Sequence, residues 1–159
     1  MVGSNKRTRK RLPTNSIHRL AEFAPWWVKC RDCSNLAVIS PNEGEQTSEC
    51  KCKNCGALYR IPINRNDASQ IARLSLWLKA NFRGNVLWAV NGDHLDYLAQ
   101  VIGATLRERP ILGRRRLPLT TAMPFNFPSW ILSAKNRTHL LRLIKKLKRT
   151  IPTDMLKRE

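Results

Sequence analysis

Four of the five cysteines form two Cys-x-x-Cys pairs, Cys30 with Cys33 and Cys52 with Cys55, and 18 residues separate the pairs. This spacing is typical of sites that bind zinc through four thiolates. Two residues between the thiols allow a tight turn, here called a knuckle, that directs both sulfurs at one ion, and Gly56 permits a positive φ after the second pair. Because four thiolates close the coordination shell, the pattern predicts one structural Zn²⁺ and a ribbon that is unfolded without it.

Three other uses of the cysteines fit the sequence less well. A disulfide framework suits a secreted protein, but the basic N-terminal segment is not followed by the apolar run of an export signal. A redox-active dithiol usually has a single Cys-x-x-Cys beside a βαβ pattern, and a catalytic zinc needs an open coordination position. The spare cysteine, Cys50, is predicted to be a strand residue, because ligation by Cys50 in place of Cys52 would leave a poorer, four-residue gap to Cys55.

The residues between and after the knuckles have the pattern of a small antiparallel sheet. Strands are predicted at residues 36–39, 47–51 and 58–61, with a turn at residues 41–44 and with Trp26-Trp27-Val28 leading into the first knuckle. Knuckle, hairpin, knuckle and strand together describe a zinc ribbon. We assign it to residues 21–66, after a disordered basic arm at residues 1–20.

A β-hairpin and a helix are predicted for residues 67–109. Apolar residues alternate at 74–80, residues 81–85 read as a turn and residues 86–90 as the returning strand, with Trp77 and Trp88 packed across the hairpin. A helix is predicted from about Asp93 to Arg109, capped by Asn91 or Asp93. Its apolar stripe is Leu95, Leu98, Val101, Ile102 and Leu106.

The last third of the chain combines prolines with many Lys and Arg residues. Residues 110–128 are predicted to be a Pro/Arg-rich loop, and residues 129–159 a basic helical segment. The segment has a short helical turn from Ser129 and a longer helix over residues 136–149, with an inner face of Leu140, Leu141, Ile144 and Leu147. The whole chain is therefore expected to be an α+β protein, an N-terminal zinc ribbon followed by a β-hairpin and two to three helices.

The net charge of +18 on 159 residues indicates the class of partner. Residues 1–20 hold six basic and no acidic residues, and residues 110–159 hold twelve basic and two acidic ones. A nearly neutral middle with two cationic ends predicts a polyanionic partner, DNA or RNA. No stretch reaches 18 apolar residues, so we expect no membrane partner, and no small-molecule substrate is evident.

Three groups of cations are the candidate phosphate contacts. They lie in the N-terminal arm, in the Pro/Arg-rich loop and on the outer side of the last long helix. The predicted contacts are Lys6, Arg7, Arg9, Lys10, Arg11, Arg114, Arg115, Arg116, Arg142, Lys145, Lys146 and Arg149. The basic helix also has two alternative interpretations, in which it lies on an anionic membrane or docks on a partner protein.

The three histidines form no catalytic constellation. His18, His94 and His139 are scattered, with no acid or nucleophile at a diagnostic spacing, so we do not expect an enzyme. His94 lies in the first turn of a predicted helix, where a histidine is usually structural.

The stretch from the ribbon to the last helix, roughly residues 28–149, resembles a family of small bacterial zinc-ribbon proteins. The matching segments are the two Cys-x-x-Cys pairs, Leu76-Trp77-Leu78, Leu87-Trp88-Ala89 with Asn91, His94 and Leu95, residues 104–109, residues 128–131 and residues 133–137. The resemblance implies a zinc ribbon, a β-hairpin and two helices, and little about function. In the family pattern the hairpin turn carries Cys-Cys-Gly where this chain has Phe82-Arg83-Gly84, so no role of that cysteine pair carries over.

Together these patterns predict a nucleic-acid-binding protein that is not an enzyme. We expect a subunit or accessory factor of a bacterial or mobile-element nucleoprotein complex, with a protein partner in that complex and a cytoplasmic, nucleoid-associated location. The alternative is a protein–protein adaptor whose ribbon and Trp26-Trp27 segment dock on a larger machine. In that case the charge would serve solubility or an acidic partner.

Overall fold

The computed structural model describes residues 20–41, 45–64, 67–104, 111–112, 115–116 and 127–156. The predicted arm with Lys6, Arg7, Arg9, Lys10 and Arg11, the turn residues 42–44 and Arg114 lie outside the described residues. The described part contains a four-stranded antiparallel sheet, two two-stranded ladders and five α-helices. The predicted α+β fold class is therefore confirmed.

The four-stranded sheet forms the first part of the structure. After a 3-10 turn at Leu20–Phe23, the strands are β1 (Trp26–Lys29), β2 (Leu36–Pro41), β3 (Thr47–Cys52) and β4 (Leu58–Pro62). They pair antiparallel in the order β1-β2-β3-β4. The three predicted strands are confirmed, and the segment predicted only to lead into the first knuckle is a fourth strand.

A short helix, a hairpin and a longer helix follow the sheet. They are α1 (Ala68–Arg73), β5 (Leu78–Phe82), β6 (Asn85–Ala89) and α2 (Gly92–Gly103). Asn91 caps α2 as predicted, because its side-chain oxygen accepts a 2.9 Å hydrogen bond from the backbone N–H of His94. The Asn91 amide also donates to the carbonyls of Phe23 and Pro25, so the cap ties α2 to the segment that precedes β1.

The remaining elements include the predicted basic helix. They are β7 (Ile111–Leu112), β8 (Arg115–Arg116), α3 (Ser129–Leu132), α4 (Arg137–Lys148) and α5 (Thr153–Leu156). β7 and β8 form a ladder within the segment predicted to be a loop. α4 packs against α2 and β5 and buries Leu140, Ile144 and Leu147, as the apolar pattern predicted, while Leu141 is half-buried.

Two apolar clusters form the core of the described residues. The ribbon cluster contains Trp26 and the α1 residue Ile71, and the helical cluster packs α2, α3 and α4 against the β5–β6 hairpin. Strand β1 joins them, since Trp26 belongs to the ribbon cluster and its neighbour Trp27 to the helical cluster. The backbone N–H of Trp27 also donates to the carbonyl of Val90, at 2.6 Å.

The predicted strand at residues 74–80 is wrong over its first half. The strand begins only at Leu78, and Leu76 makes an isolated bridge to Val28. The helix α1 that precedes it was not predicted, because six residues are too few to show a helical period or to be stable alone. It is held by Asp67, which caps it, and by the burial of Ile71.

The predicted C-terminus of α2 is also wrong. The helix ends at Gly103 rather than at Arg109, and Ala104 is already extended, with ψ of 124°. The Arg137 side chain donates to the carbonyls of Ile102 (3.1 Å) and Ala104 (3.4 Å). A residue from α4 therefore satisfies the last carbonyls of α2, which the local sequence could not show.

The two hairpin tryptophans are not direct cross-strand partners. Trp88 lies opposite Lys79 and packs beside the ribbon cluster. Trp77 packs beside the helical cluster and donates a 3.2 Å hydrogen bond to the carbonyl of Thr150, just after α4. Trp77 therefore anchors the C-terminal end of α4 to the hairpin.

None of the described helices has the length and the apolar composition that crossing a bilayer requires.

Candidate metal centre

The two knuckles share one backbone design. In each, the N–H of the first cysteine donates to the carbonyl five residues later, from Cys30 to Asn35 at 2.7 Å and from Cys52 to Ala57 at 2.9 Å. The chain thus returns alongside itself directly after each pair. Strands β2 and β4 start at the next residue, so the sheet continues each knuckle without a break.

Each knuckle also contains one residue in the left-handed region. Ser34 has φ of 59° and Gly56 has φ of 75°, and each directly follows the second cysteine of its pair. Their N–H groups donate to the carbonyls of Cys30 (2.9 Å) and Cys52 (3.0 Å). The glycine was expected to permit this turn, whereas Ser34 adopts it in spite of its Cβ.

The four paired cysteines meet at one point, as predicted. Their sulfurs all lie within 4.8 Å of one another. The Sγ atoms of Cys30 and Cys55 are 3.7 Å apart, and those of Cys33 and Cys52 are 3.6 Å apart. Four sulfurs at about 2.3 Å from a central ion form a tetrahedron with edges of about 3.8 Å. The donor set therefore fits a four-coordinate metal ion.

Several N–H groups point at the sulfurs. The backbone N–H of Asp32 donates to Cys30 Sγ at 3.4 Å. The side-chain amides of Asn35 and Asn54 both donate to Cys33 Sγ at 3.6 Å. Hydrogen bonds of this kind stabilise a thiolate and orient it toward a metal. Because Asn54 comes from the second knuckle, it also joins the two knuckles.

The electrostatics of the cluster favour a bound cation. The backbone N–H of Asn35, helped by the Asn54 amide, lowers the pKa of Cys33 to about 6. For Cys55 the backbone N–H of Ala57 acts in the same direction, but desolvation and the neighbouring thiols outweigh it and raise the pKa to about 12. A cation among the sulfurs would counter the raised pKa of Cys55, because it stabilises the thiolate form.

Cys50 lies behind the cluster and has a different role. It is fully buried on the inner face of β3, opposite Tyr59 of β4. Burial raises the pKa of its thiol, and burial likewise raises the pKa of Tyr59 to about 12. On the outer side, the Arg31 guanidinium lies 3.9 Å from the centre of the Tyr59 ring. The prediction that Cys50 is a strand residue is confirmed.

Four predicted phosphate contacts lie together, three on α4 and one at Arg149, the residue that caps its C-terminus. Arg142, Lys145, Lys146 and Arg149 are all exposed, and we call them the basic face. Their spacing of three, four and seven residues places them on one side of the helix, opposite Leu140 and Ile144. None of the four makes an ion pair with another residue that the structure describes.

The other cations of α4 are occupied. Lys148 forms an ion pair with Asp96 of α2. Arg137 donates to the α2 carbonyls, as described above. Of the predicted loop cluster, Arg115 and Arg116 form β8, which pairs with β7, and Arg114 lies outside the described residues.

His94 is buried, at 3% exposure. Its Nδ1 accepts a 3.2 Å hydrogen bond from the backbone N–H of Val90, and the rings of Phe23 and Trp88 lie against it. Burial lowers the pKa of His94 to about 3, so the imidazole is neutral at physiological pH. These contacts support the predicted structural role.

A cleft of about 940 Å³ lies between the second knuckle, the start of α2 and α5. Its lining includes Lys53, Asp93, Ile151, Met155 and Leu156. Leu156 is 59% exposed, and Met155 beside it is half-buried. The Trp26-Trp27 segment, predicted as a docking surface in the adaptor hypothesis, is instead buried, at 0% and 7% exposure. That part of the hypothesis is wrong because both rings are core residues.

The residues that support the cluster were not predicted from the sequence. Ser34, Asn35 and Asn54 shape the knuckles or donate to Cys33. A signal was present, because Asn favours turns and carries an amide donor, and both Asn35 and Asn54 lie within two residues of a ligand cysteine. It was too common a feature to be distinctive.

Comparisons with protein-family models, with curated proteins and with solved structures find no match to this chain. The resemblance to small bacterial zinc-ribbon proteins therefore stays a prediction.

Proposed function

We propose that this chain is a zinc-ribbon protein that binds nucleic acid as a non-catalytic subunit or accessory factor of a nucleoprotein complex. The observation that carries the proposal is the basic face of α4, four exposed cations on one side of a helix whose other side is packed into the core. Helix packing holds these charges in place, and unpaired surface cations at regular spacing suit a polymer of phosphates.

Zinc is the metal we propose for the cysteine cluster. A closed set of four thiolates in tetrahedral reach of one another is typical of structural zinc, which has no redox chemistry and no open position for a substrate. The cysteines of the two knuckles would bind the ion, and the bound ion would stabilise the four-stranded sheet. In this proposal the ribbon is a scaffold, and the phosphate contacts lie elsewhere.

The proposal is tested by electrophoretic shift of the purified, zinc-loaded full chain with short DNA and RNA oligonucleotides at low salt. We expect binding that weakens steeply as salt is raised, with dissociation constants of about 10⁻⁴–10⁻⁶ M near physiological salt. Affinity in that range is weakly specific, so a partner protein or guide strand would supply specificity. Absence of binding to both DNA and RNA at low salt contradicts the proposal.

A second candidate, a protein–protein adaptor, is favoured by the cleft beside α5, where Leu156 is exposed. The two candidates separate when residues 1–20 are deleted and Arg114, Arg115 and Arg116 are replaced by Gln. Only the nucleic-acid proposal expects that change to reduce a salt-sensitive binding. An adaptor would still bind its partner protein after that change, and the substitution Leu156→Asp would weaken the binding instead.

A further inference from the structure

We infer that the basic face of α4 binds double-stranded DNA, with α4 lying along the major groove and its cations reaching the phosphates on both sides. The inference rests on the proposed function and names its substrate class. It depends on three features of the described residues: the shape of the basic face, the rigidity of the helix and the burial of the aromatic residues.

The shape of the basic face suits a groove. With about 100° per residue, Lys145 and Lys146 project to opposite flanks of the helix, while Arg142 and Arg149 lie between them on its crest. From Arg142 to Arg149 the helix rises about 10 Å, so the four cations form a short row along the helix axis. A helix about 10–12 Å across also fits the B-form major groove, which is about 12 Å wide.

The helix is held rigidly in this position. Leu140, Ile144 and Leu147 are buried in the helical cluster. At its first turn Arg137 is bonded to the end of α2, and at its last turn Lys148 is paired with Asp96. A fixed array of cations suits a stiff, regular polyanion, because little entropy is lost when the two surfaces meet.

The aromatic residues argue against single strands. Proteins that bind single strands without specificity stack successive bases on exposed aromatic rings. In the described part of the chain no Trp, Tyr or Phe side chain is exposed. Trp130, the aromatic residue of α3, is half-buried and stacks on Phe82 at 5.7 Å between ring centres. The basic face itself carries no aromatic ring.

The same geometry favours DNA over RNA duplexes. The A-form major groove is deep and narrow, so an α-helix cannot enter it, and the A-form minor groove is wide and shallow. A helix with cations on both flanks therefore cannot lie between the two phosphate backbones of the RNA major groove, as it can in B-form DNA. We therefore expect tighter binding to the DNA duplex at equal length and salt.

Fluorescence anisotropy with the zinc-loaded full chain tests the inference. The probes are a short DNA duplex, its single strand and an RNA duplex of the same sequence, titrated at salt from about 50 to 200 mM. Four phosphate contacts by themselves predict affinity about 150-fold weaker at the upper salt, from a slope of about −0.9 per phosphate. For the DNA duplex, log affinity falls with log salt, and we expect this slope to become less negative by about 3.6 in the variant Arg142→Gln/Lys145→Gln/Lys146→Gln/Arg149→Gln.

A matched control removes the same charge elsewhere. The control variant replaces four exposed cations of the sheet and α1 by Gln: Lys29, Lys51, Arg60 and Arg73. It loses two lysines and two arginines, as the test variant does, and we expect it to keep the wild-type slope. If the fourfold test variant does not fold, as judged by circular dichroism, Arg142→Gln/Lys146→Gln replaces it, with an expected slope change of about 1.8.

The outcomes separate the inference from the proposed function. Equal changes in the salt dependence of DNA-duplex binding in the test and control variants would overturn the inference. They would show that binding depends on the total charge and not on the basic face. Equal or tighter binding of the single strand or the RNA duplex would overturn it too, while nucleic-acid binding itself would stand. A chain that binds none of the three probes at low salt would overturn both.

Discussion

Cys50 and Cys52 lie two residues apart on β3, and both side chains are buried. Only the Cys52 sulfur belongs to the four-cysteine cluster, while Cys50 packs against Tyr59. Because side chains alternate along a strand, two positions two residues apart share a face, and what distinguishes them is the point where the strand ends. Cys52 ends β3 and begins the knuckle. The pair therefore gives a matched test of the metal site.

We expect Cys52→Ala to lose the bound metal and Cys50→Ala to keep one ion per chain. Removing one thiolate opens the closed shell, whereas removing Cys50 costs only core packing. Metal content of the purified variants, measured by mass spectrometry of the element, checks this. Retention of one ion by Cys52→Ala, or its loss from Cys50→Ala alone, would show that the ligands are assigned wrongly.

His94 predicts a specific dependence of stability on pH. Its pKa is lowered to about 3 in the folded state by burial, against an ordinary value of 6.5. Between these values the unfolded chain binds a proton that the folded chain does not, so stability falls as the pH drops below about 6.5. The expected loss between pH 7.5 and 5 is about 2 kcal/mol from this residue.

Denaturant unfolding across this pH range measures that contribution. We expect His94→Gln to be less stable at neutral pH, because the bond from Val90 is altered, but to lose less stability on acidification than the wild type. His139→Gln, which removes an exposed histidine of α4, is the control and should follow the wild-type curve. Parallel curves for the wild type and His94→Gln would contradict the assignment.

At the scale of elements, the repeated knuckle shows how backbone conformation limits the sequence. The position after each second cysteine has a positive φ in both copies, yet one copy carries Ser34 and the other Gly56. A residue with a Cβ costs about 1–2 kcal/mol in this region. Apart from Gly56 and its two chain neighbours, no atom lies within 4 Å of the position that a Cβ on Gly56 would take, so backbone strain decides the effect.

We expect Ser34→Gly to stabilise the chain by up to about 1 kcal/mol and Gly56→Ala to destabilise it by about 1 kcal/mol. Both variants should keep their metal, because no ligand changes. Gly103→Ala is the control: it also has open space around it but no positive φ, and should be neutral or slightly stabilising. Thermal unfolding compares the three, and a loss at Gly103→Ala as large as at Gly56→Ala would refute the strain argument.

For the molecule as a whole, the four-cysteine cluster and α4 are linked through the core. Strand β1 contributes Trp26 to the ribbon cluster and Trp27 to the helical cluster. The ring of Trp27 reaches the start of α2, where a Cβ on Gly92 would lie 3.4 Å from it. Loss of order in the ribbon should therefore spread to the helices through β1.

We expect removal of the metal by a chelator to lower the melting temperature of the helices as well as that of the sheet. The unfolding transitions followed by circular dichroism at 222 nm and by tryptophan fluorescence should coincide. Both should occur at a lower temperature than before chelation, because the ion stabilises only the folded ribbon. Restoring Zn²⁺ should restore the original transition. A helical transition that is unchanged after chelation would show that the helices fold independently of the ribbon.

The four-cysteine cluster was predictable from the sequence because its determinants are local. Two residues lie between the thiols of each knuckle, and 18 residues separate the two pairs. The cluster could therefore be predicted without knowing how the core is packed. The strands β2, β3 and β4 and the helix α4 were predictable for a related reason, since their apolar patterns match what they bury. The bounds of α4 differ from the predicted helix by one residue at each end.

The parts that were mispredicted depend on contacts between distant residues. α2 ends at Gly103, where the Arg137 side chain of α4 donates hydrogen bonds to its last carbonyls. α1 is stabilised because Ile71 is buried in the core. The adaptor alternative placed Trp26 and Trp27 on a docking surface, but Trp26 is buried in the ribbon cluster and Trp27 in the helical cluster. The sequence alone determined which residues could hold a metal and how much charge the chain carries. Which of the described cations are exposed and without an ion pair depends on the fold, because pairing and burial are set by the residues that lie next to each side chain.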